Sequence, residues 1–315
     1  MSLRYLRHAA LNLAAWDACV DAATPALPYA FSWWLLATAG RWDAVVELDD
    51  ATGQYHSVLP IPVRWRPWGR EGVQPPYTQQ LGLFITPASH YREVEAYLML
   101  ISRHYKRSYQ QLNVDNLLKK APSGYKSTNR VTYVLPLSAQ YETLLAGYAA
   151  DYRRRLRLNE RRLQPLVVTE ATAATDVIQL FRSEKAGSVA GLTRRDYHRL
   201  HRLVAVLEAR GALLSREVRA PKTGELLAGA LFVRHANHLI YLFAAASSAG
   251  RQAGAPLLLL DALIRQHAGT PGLVLDFEGS MIPSIARFFA NFGATPVPYA
   301  ALTQTYRPWY LSWLN

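Results

Sequence analysis

Cysteine is almost absent from these 315 residues: Cys19 stands alone. One thiol closes no internal disulfide, and it excludes every metal motif built on several cysteines. Charge is sparse too, at 18% against a usual quarter, while half of the residues are apolar. That balance excludes a disordered chain or a long coiled coil and leaves material for two buried cores, as the length also suggests. No apolar run reaches the length of a membrane span. The start, Met1 to Arg7, has the basic flavour of a signal peptide, but Asp17 and Asp21 interrupt the apolar run after it and no small-residue cleavage site closes that run; a cytoplasmic protein is expected. No P-loop, dinucleotide fingerprint or serine nucleophile elbow is present. Acidic residues are in deficit, 23 against 35 Lys and Arg, giving +12. An excess of that size either serves solubility or fits an anionic partner such as RNA, a nucleotide cofactor or an anionic membrane surface.

What is present reads as α/β. A helix capped by Asn12 is followed by a strand over 42–48, a turn at Asp49-Asp50-Ala51-Thr52-Gly53 and a partner strand over 57–65. Strands at 80–85, 110–114 and 130–135 surround an amphipathic helix over 92–103. A long helix over 138–163, started by Ser138 and ended before Pro165, is expected to link two lobes, 1–137 and 138–315. Its tail holds Arg153, Arg154, Arg155, Arg157, Arg161 and Arg162, which spread over all faces and suit either RNA phosphates or a solvated surface. The second lobe reads as a strand at 166–170, helices over 177–185 and 194–210, then strands 213–218, 227–234 and 238–245. A loop over 247–255, a helix ending near His267, a strand 273–277 and a helix 282–292 come next. Each half carries a hairpin turning on Thr-Gly, at Thr52-Gly53 and Thr223-Gly224, so a duplicated architecture of mixed sheets flanked by helices is expected.

The most specific stretch is Leu273-Val-Leu-Asp-Phe-Glu-Gly-Ser280 with Ile285-Ala-Arg-Phe-Phe-Ala-Asn-Phe-Gly-Ala294. A strand ending in an acid and glycine, then a helix ending Phe-Gly, resembles the GNAT acyltransferase superfamily, and in particular the Fem family of aminoacyl transferases, which are tandem-GNAT proteins. The resemblance implies two GNAT-like lobes and direct transfer of an activated acyl or aminoacyl group onto an amine. It implies acyl-CoA or aminoacyl-tRNA as donor and a small-molecule or peptide amine as acceptor. A coenzyme A-dependent N-acetyltransferase and a non-catalytic RNA- or ligand-binding protein stay open as alternatives. By the same resemblance, strands 238–245 and 273–277 splay around the acyl group, and Arg251-Gln-Ala-Gly254-Ala255-Pro256 matches the pyrophosphate loop, with Arg251, Gly254 and Ala255 as cofactor contacts. Proline stands at the loop's last small position and lacks an N–H. Phe289 stands where many GNAT enzymes carry a tyrosine that protonates the leaving thiolate.

Glu278, just past the last core residue of its strand, is the candidate for handling the acceptor amine; capping the next helix is the alternative role. Asp276 is expected on the same strand face by period-2 alternation. Ser280, Arg287 and Tyr241 join it as substrate-binding candidates, as do Gln79 and Gln80 of the loop after Pro75-Pro76-Tyr77. His198 and His201 lack further ligands, so no metal site is expected.

Overall fold

The computed structural model describes residues 2–67, 69–118, 120–185, 192–279 and 281–305. Along the chain run β1 (Ser2–Leu6), α1 (Leu13–Ala22), α2 (Ser32–Thr38), β2 (Trp42–Leu48), β3 (Tyr55–Arg66), β4 (Gly69–Gly72), β5 (Phe84–Ile85), α3 (Val94–His104), β6 (Arg107–Gln111) and β7 (Tyr125–Pro136). Then come α4 (Tyr141–Ala146), α5 (Ala150–Glu160), β8 (Val168–Glu170), α6 (Ala174–Lys185), α7 (Arg194–Ala209), β9 (Leu213–Arg219), β10 (Leu226–His235) and β11 (His238–Ala246). The last are α8 (Ser248–Ala253), α9 (Ala255–His267), β12 (Val274–Asp276), α10 (Pro283–Ala290) and β13 (Thr295–Thr305).

Two compact units result, Met1–Arg130 with the segment from Pro298, and Val131–Val297. The expected boundary at 137/138 falls inside the second unit, because β7 and β13 serve the sheets of the opposite halves. The first unit orders its strands β1-β2-β3-β4-β6-β13, the second β8-β9-β10-β11-β12-β7. In the first, β13 lies antiparallel on β6, with Ala301 against Gln111; in the second, β7 lies antiparallel on β12, with Leu135 against Leu275. The two orders share the same senses. Three antiparallel pairings lead to one parallel pair, β4 with β6 or β11 with β12, and an antiparallel sixth strand. The two Thr-Gly hairpins join equivalent strands, and Gly53 (φ 73°) and Gly224 (φ 70°) supply the left-handed step each turn needs.

Apolar alternation sets the cores. In the first unit α3 lays Val94, Tyr97, Leu98 and Ile101 on Val45, Leu59 and Ile61. Trp16 of α1 meets Trp42, which alternates to the other face, at 5.8 Å between ring centres. In the second unit α9 buries Leu257, Leu260, Leu263 and Ile264 among Ala228, Ala230 and Phe232. On the opposite face α6 approaches so closely that a Cβ on Gly229 would lie 2.5 Å from Val177.

The expected linking helix is two short ones. Gly147 ends α4, Tyr148 is buried against Phe292, and the Ala149 amide bonds to the Asn291 carbonyl rather than back into a helix. Ser138 is not a helix cap; its hydroxyl accepts from the Gly272 amide. Ser32 begins α2 from inside, with its hydroxyl on Asp17 and Phe31 at the cap position. The strand expected over 80–85 shrinks to β5, and β1, β4 and β13 carry no clear alternation in the sequence.

Candidate functional site

The parallel pairing of β11 with β12 runs through His238–Val274 and Leu239–Leu275 and stops at Ile240–Asp276. Beyond it β11 continues to Ala246 paired with β10, while β12 ends. The strands therefore part at their carboxyl ends, where α/β sheets bind ligands. Along the β11 side lies a pocket of about 230 Å³ bounded by Tyr241, Ala244–Ala246, Phe181, Glu184, Arg251, Pro256 and Leu259.

Tyr241 is half-buried, edge-on to Phe289 at 6.1 Å and beside Phe232 at 5.3 Å. Its hydroxyl makes no hydrogen bond among the described residues, and burial raises its pKa, so it is a protonated phenol with a donor to spare. Phe289 is buried against Phe277 and Tyr133 and can only pack.

On the β12 side, alternation does not carry past Asp276. Glu278 has left the strand and sits at φ 57°, a left-handed backbone that costs a non-glycine residue of order 1 kcal/mol or more. Asp276 holds it there: its Oδ1 accepts the Glu278 amide at 2.8 Å and the Thr132 hydroxyl at 2.5 Å. Asp276 is thus buried and engaged rather than facing a substrate, and burial pushes its carboxyl up to about 6 against those two bonds. Glu278 remains half-exposed. Ser280 lies outside the described residues. Arg287 is exposed on α10 and forms no ion pair among the described residues.

The segment expected to be an open phosphate-binding loop is mostly helix. Ser247 caps α8 by accepting from the Gly250 amide, and the Arg251 and Gly254 amides bond to Ser247 and Arg251 carbonyls. A Cβ on Gly250 would lie 2.0 Å from the Leu227 carbonyl oxygen, which makes that glycine a packing requirement invisible to the loop motif. Gly254 turns left-handed (φ 85°) to join α8 to α9, with Ala255 fully buried behind it. Arg251 is tied to Glu184 at 2.9 Å and to the Ala246 carbonyl. Arg155, read in the sequence only as part of the basic tail, has its guanidinium 3.0 Å from where a Gly254 Cβ would be, and no local pattern ties the two positions.

Gln80 is buried in the first unit, where its side-chain oxygen accepts the Val114 amide at 3.0 Å; Gln79 accepts from Gln80 at 3.5 Å. Cys19 is buried there too, its thiol pushed up to about 12 by burial. Among the described residues no group of three or more His, Cys, Asp or Glu is placed to hold a metal ion, and no helix is long and apolar enough to cross a membrane.

Residues 147–280 match the model of the acetyltransferase (GNAT) domain. No curated protein matches the chain. Among solved structures it is similar to FemX, with a TM-score of 0.63 at 13% identity over 95% of this chain and 97% of that one. A tandem GNAT protein from the clavulanic acid biosynthesis pathway gives 0.56 at 13% identity over 98% and 99%. The C-terminal domain of a putative lysylphosphatidylglycerol synthetase from Agrobacterium fabrum gives 0.51 at 12% over 84% of each chain. At such identities these likenesses are of fold. The match over 147–280 and these likenesses agree on a tandem-GNAT fold like that of FemX, and with the GNAT acetyltransferase match they make the chain a transferase of the acyl kind.

Proposed function

We propose that the second unit moves an activated acyl or aminoacyl group onto an amine by direct attack, at the gap between Tyr241 and Glu278. The observation that carries this is the end of the β11–β12 pairing at Ile240–Asp276, with a pocket along β11 past that point and Glu278 half-exposed on left-handed backbone two residues past Asp276. The amine nitrogen attacks the acyl carbonyl carbon and loses a proton to Glu278. The bond from that carbon to the leaving oxygen or sulfur breaks, and the Tyr241 phenol supplies the proton the leaving group needs. Exposed Met281, Ile282 and Ile285, just past Glu278, give the acceptor side an apolar rim.

An ester donor of the aminoacyl-tRNA type is favoured. The 247–254 turn spends its Gly250, Arg251 and Gly254 amides on itself, Pro256 offers none, and Arg251 is already paired, so a pyrophosphate finds few free donors. An acyl-CoA donor is the second reading, favoured by the family-model match and by the pocket ending on Arg251 and Pro256.

The test is transfer to a panel of amines, followed by mass spectrometry, with charged tRNA and acetyl-CoA supplied in parallel. Transfer from charged tRNA alone supports the favoured donor, and transfer from acetyl-CoA alone supports the second. Transfer from neither, with ligand density in a soaked crystal lying away from Glu278, overturns the placement.

A further inference from the structure

The outward side of α5 and the turn after it combine two features that rarely coincide on a soluble surface. Buried Tyr152, Leu156 and Asn159 fix which side of α5 faces the core. Helical spacing then places Arg154, Arg157, Leu158 and Arg161 together on the outside, and all four are exposed. The chain continues through exposed Arg162 into Leu163, which at 105% is as open as a free side chain, and Val167 at 61%. Leu158 is 48% exposed. Residues 150–167 hold six arginines against Asp151 and Glu160. Among the described residues only Arg154 of the six has a carboxylate partner, Asp151 at 2.7 Å. Val167 also lines an open groove of about 590 Å³ that is apolar at Leu156, Pro165, Leu166 and Leu258 and charged at Glu160, Asp261 and Arg265.

Apolar side chains exposed together, rather than scattered singly, mark an interaction surface, and the arginines among them give it a positive potential. We propose that this face docks on an anionic lipid bilayer, with Arg154, Arg157, Arg161 and Arg162 at the headgroup phosphates and Leu158, Leu163 and Val167 dipping into the apolar boundary. The apolar side of α5 is spent on the core, but its outer side and the turn after it set exposed arginines beside exposed Leu158, Leu163 and Val167, the mix of an interfacial segment. RNA fits less well: residues 153–170 contain no aromatic side chain on which a base could stack. This inference stands apart from the chemistry at Glu278, and none of its residues belongs to that site.

The test is co-sedimentation of the full chain with vesicles of phosphatidylcholine alone and of phosphatidylcholine mixed with phosphatidylglycerol, over a range of salt, with unacylated tRNA as a soluble competitor. Binding to the mixed vesicles only, weakening with salt, is expected. Arg157→Glu with Arg161→Glu should weaken it by at least about 25-fold, given roughly five-fold for each basic residue lost at an anionic surface. Leu163→Asp should weaken it by about ten-fold, since a leucine's transfer out of water is forfeited. Milder Arg157→Gln and Leu163→Ser variants, each with an unchanged melting curve, keep the result free of folding effects. Equal binding to both vesicle types overturns the proposal. So does an absence of vesicle binding, and so does a pattern in which the arginine variants lose tRNA while Leu163→Asp changes nothing.

Discussion

The two units repeat one strand order yet treat the gap beside their parallel strands in opposite ways. In the second unit β11 and β12 share three registered pairs, β12 then ends, and a pocket lies along the continuing β11. In the first, β4 meets β6 only at Gly72–Ser108, and the chain after β4 fills the gap itself. Gln74 accepts the Gln111 amide and donates to the Thr78 carbonyl, Leu81 donates to the Gln111 carbonyl, and Leu81 bridges in parallel to Leu112. Their acids differ in the same sense. Asp43 in the first unit is buried and accepts from Tyr5, Tyr105 and Arg70 at 2.5–2.6 Å. Glu278 is half-exposed on a backbone that costs energy to hold. On the proposed function, backbone strain beside a pocket marks the working lobe and a gap filled by the chain itself marks the supporting one.

The sharpest way to break that contrast is to neutralise one acid in each unit. Glu278→Gln should lower turnover by roughly 10²–10⁴-fold, the range for loss of a general base, with an almost unchanged melting temperature. Asp43→Ala should do the reverse. It leaves the largely buried Arg70 and two phenols without their acceptor, so it should cost about 3–5 kcal/mol of stability while turnover per folded molecule holds. Denaturant titration and an initial-rate assay on both variants separate the outcomes; a stability loss at Glu278 with activity intact would make it a helix cap.

The next largest effect is one of pH. Asp276 is raised by burial from about 3.8 to about 6 in the folded protein. Between those values the folded state holds a proton that the unfolded chain has released. The stability this contributes is complete below about 3.8 and is lost as pH rises through 6, by roughly 2–3 kcal/mol. Asp276→Asn keeps an oxygen for Thr132 and the Glu278 amide but cannot ionise. The difference in unfolding free energy between wild type and variant should therefore change between pH 4 and 7 in the variant's favour. A flat difference would show that Asp276 is in contact with water.

Much of this is legible in the sequence, for identifiable reasons. β2, β10 and β11 are apolar runs of strand length bounded by turn residues, β9 is tied to β10 by the second Thr-Gly turn, and both turns need the left-handed glycine they have, so these positions follow from local chemistry. The resemblance at 273–294 locates the parting strands and Glu278. The features that escape are non-local. β7 and β13 pair in the opposite halves, which no window of residues reveals, and the linking helix breaks because Tyr148 and Ala149 are claimed by Phe292 and Asn291 far along the chain. Alternation puts Asp276 and Glu278 on one face; the strand instead ends between them, through a hydrogen bond from the Glu278 amide to the Asp276 side chain that period-2 reasoning has no means to anticipate.

The smallest expected effect tests whether the filled gap of the first unit is structural alone. Gln74 lies outside any element, and its carboxamide does two jobs at once: it accepts the Gln111 amide at 3.0 Å and donates to the Thr78 carbonyl at 2.6 Å. Gln74→Ala removes both partners and leaves the Gln111 amide, on the edge of β6 that faces the gap, without its acceptor. An unmade buried hydrogen bond costs about 1–3 kcal/mol, less wherever water can enter. At the sensitivity of a domain this size, that is a melting-temperature drop of roughly 2–9 °C. If the first unit only supports the fold, turnover at a temperature well below the transition should match wild type, and hydrogen exchange should quicken at Gln111 and Leu81 before it quickens elsewhere, because those amides border the segment that loosens. A change in the acceptor's KM without a change in melting temperature would mean instead that this gap takes part in binding, and the division of labour between the units would have to be redrawn.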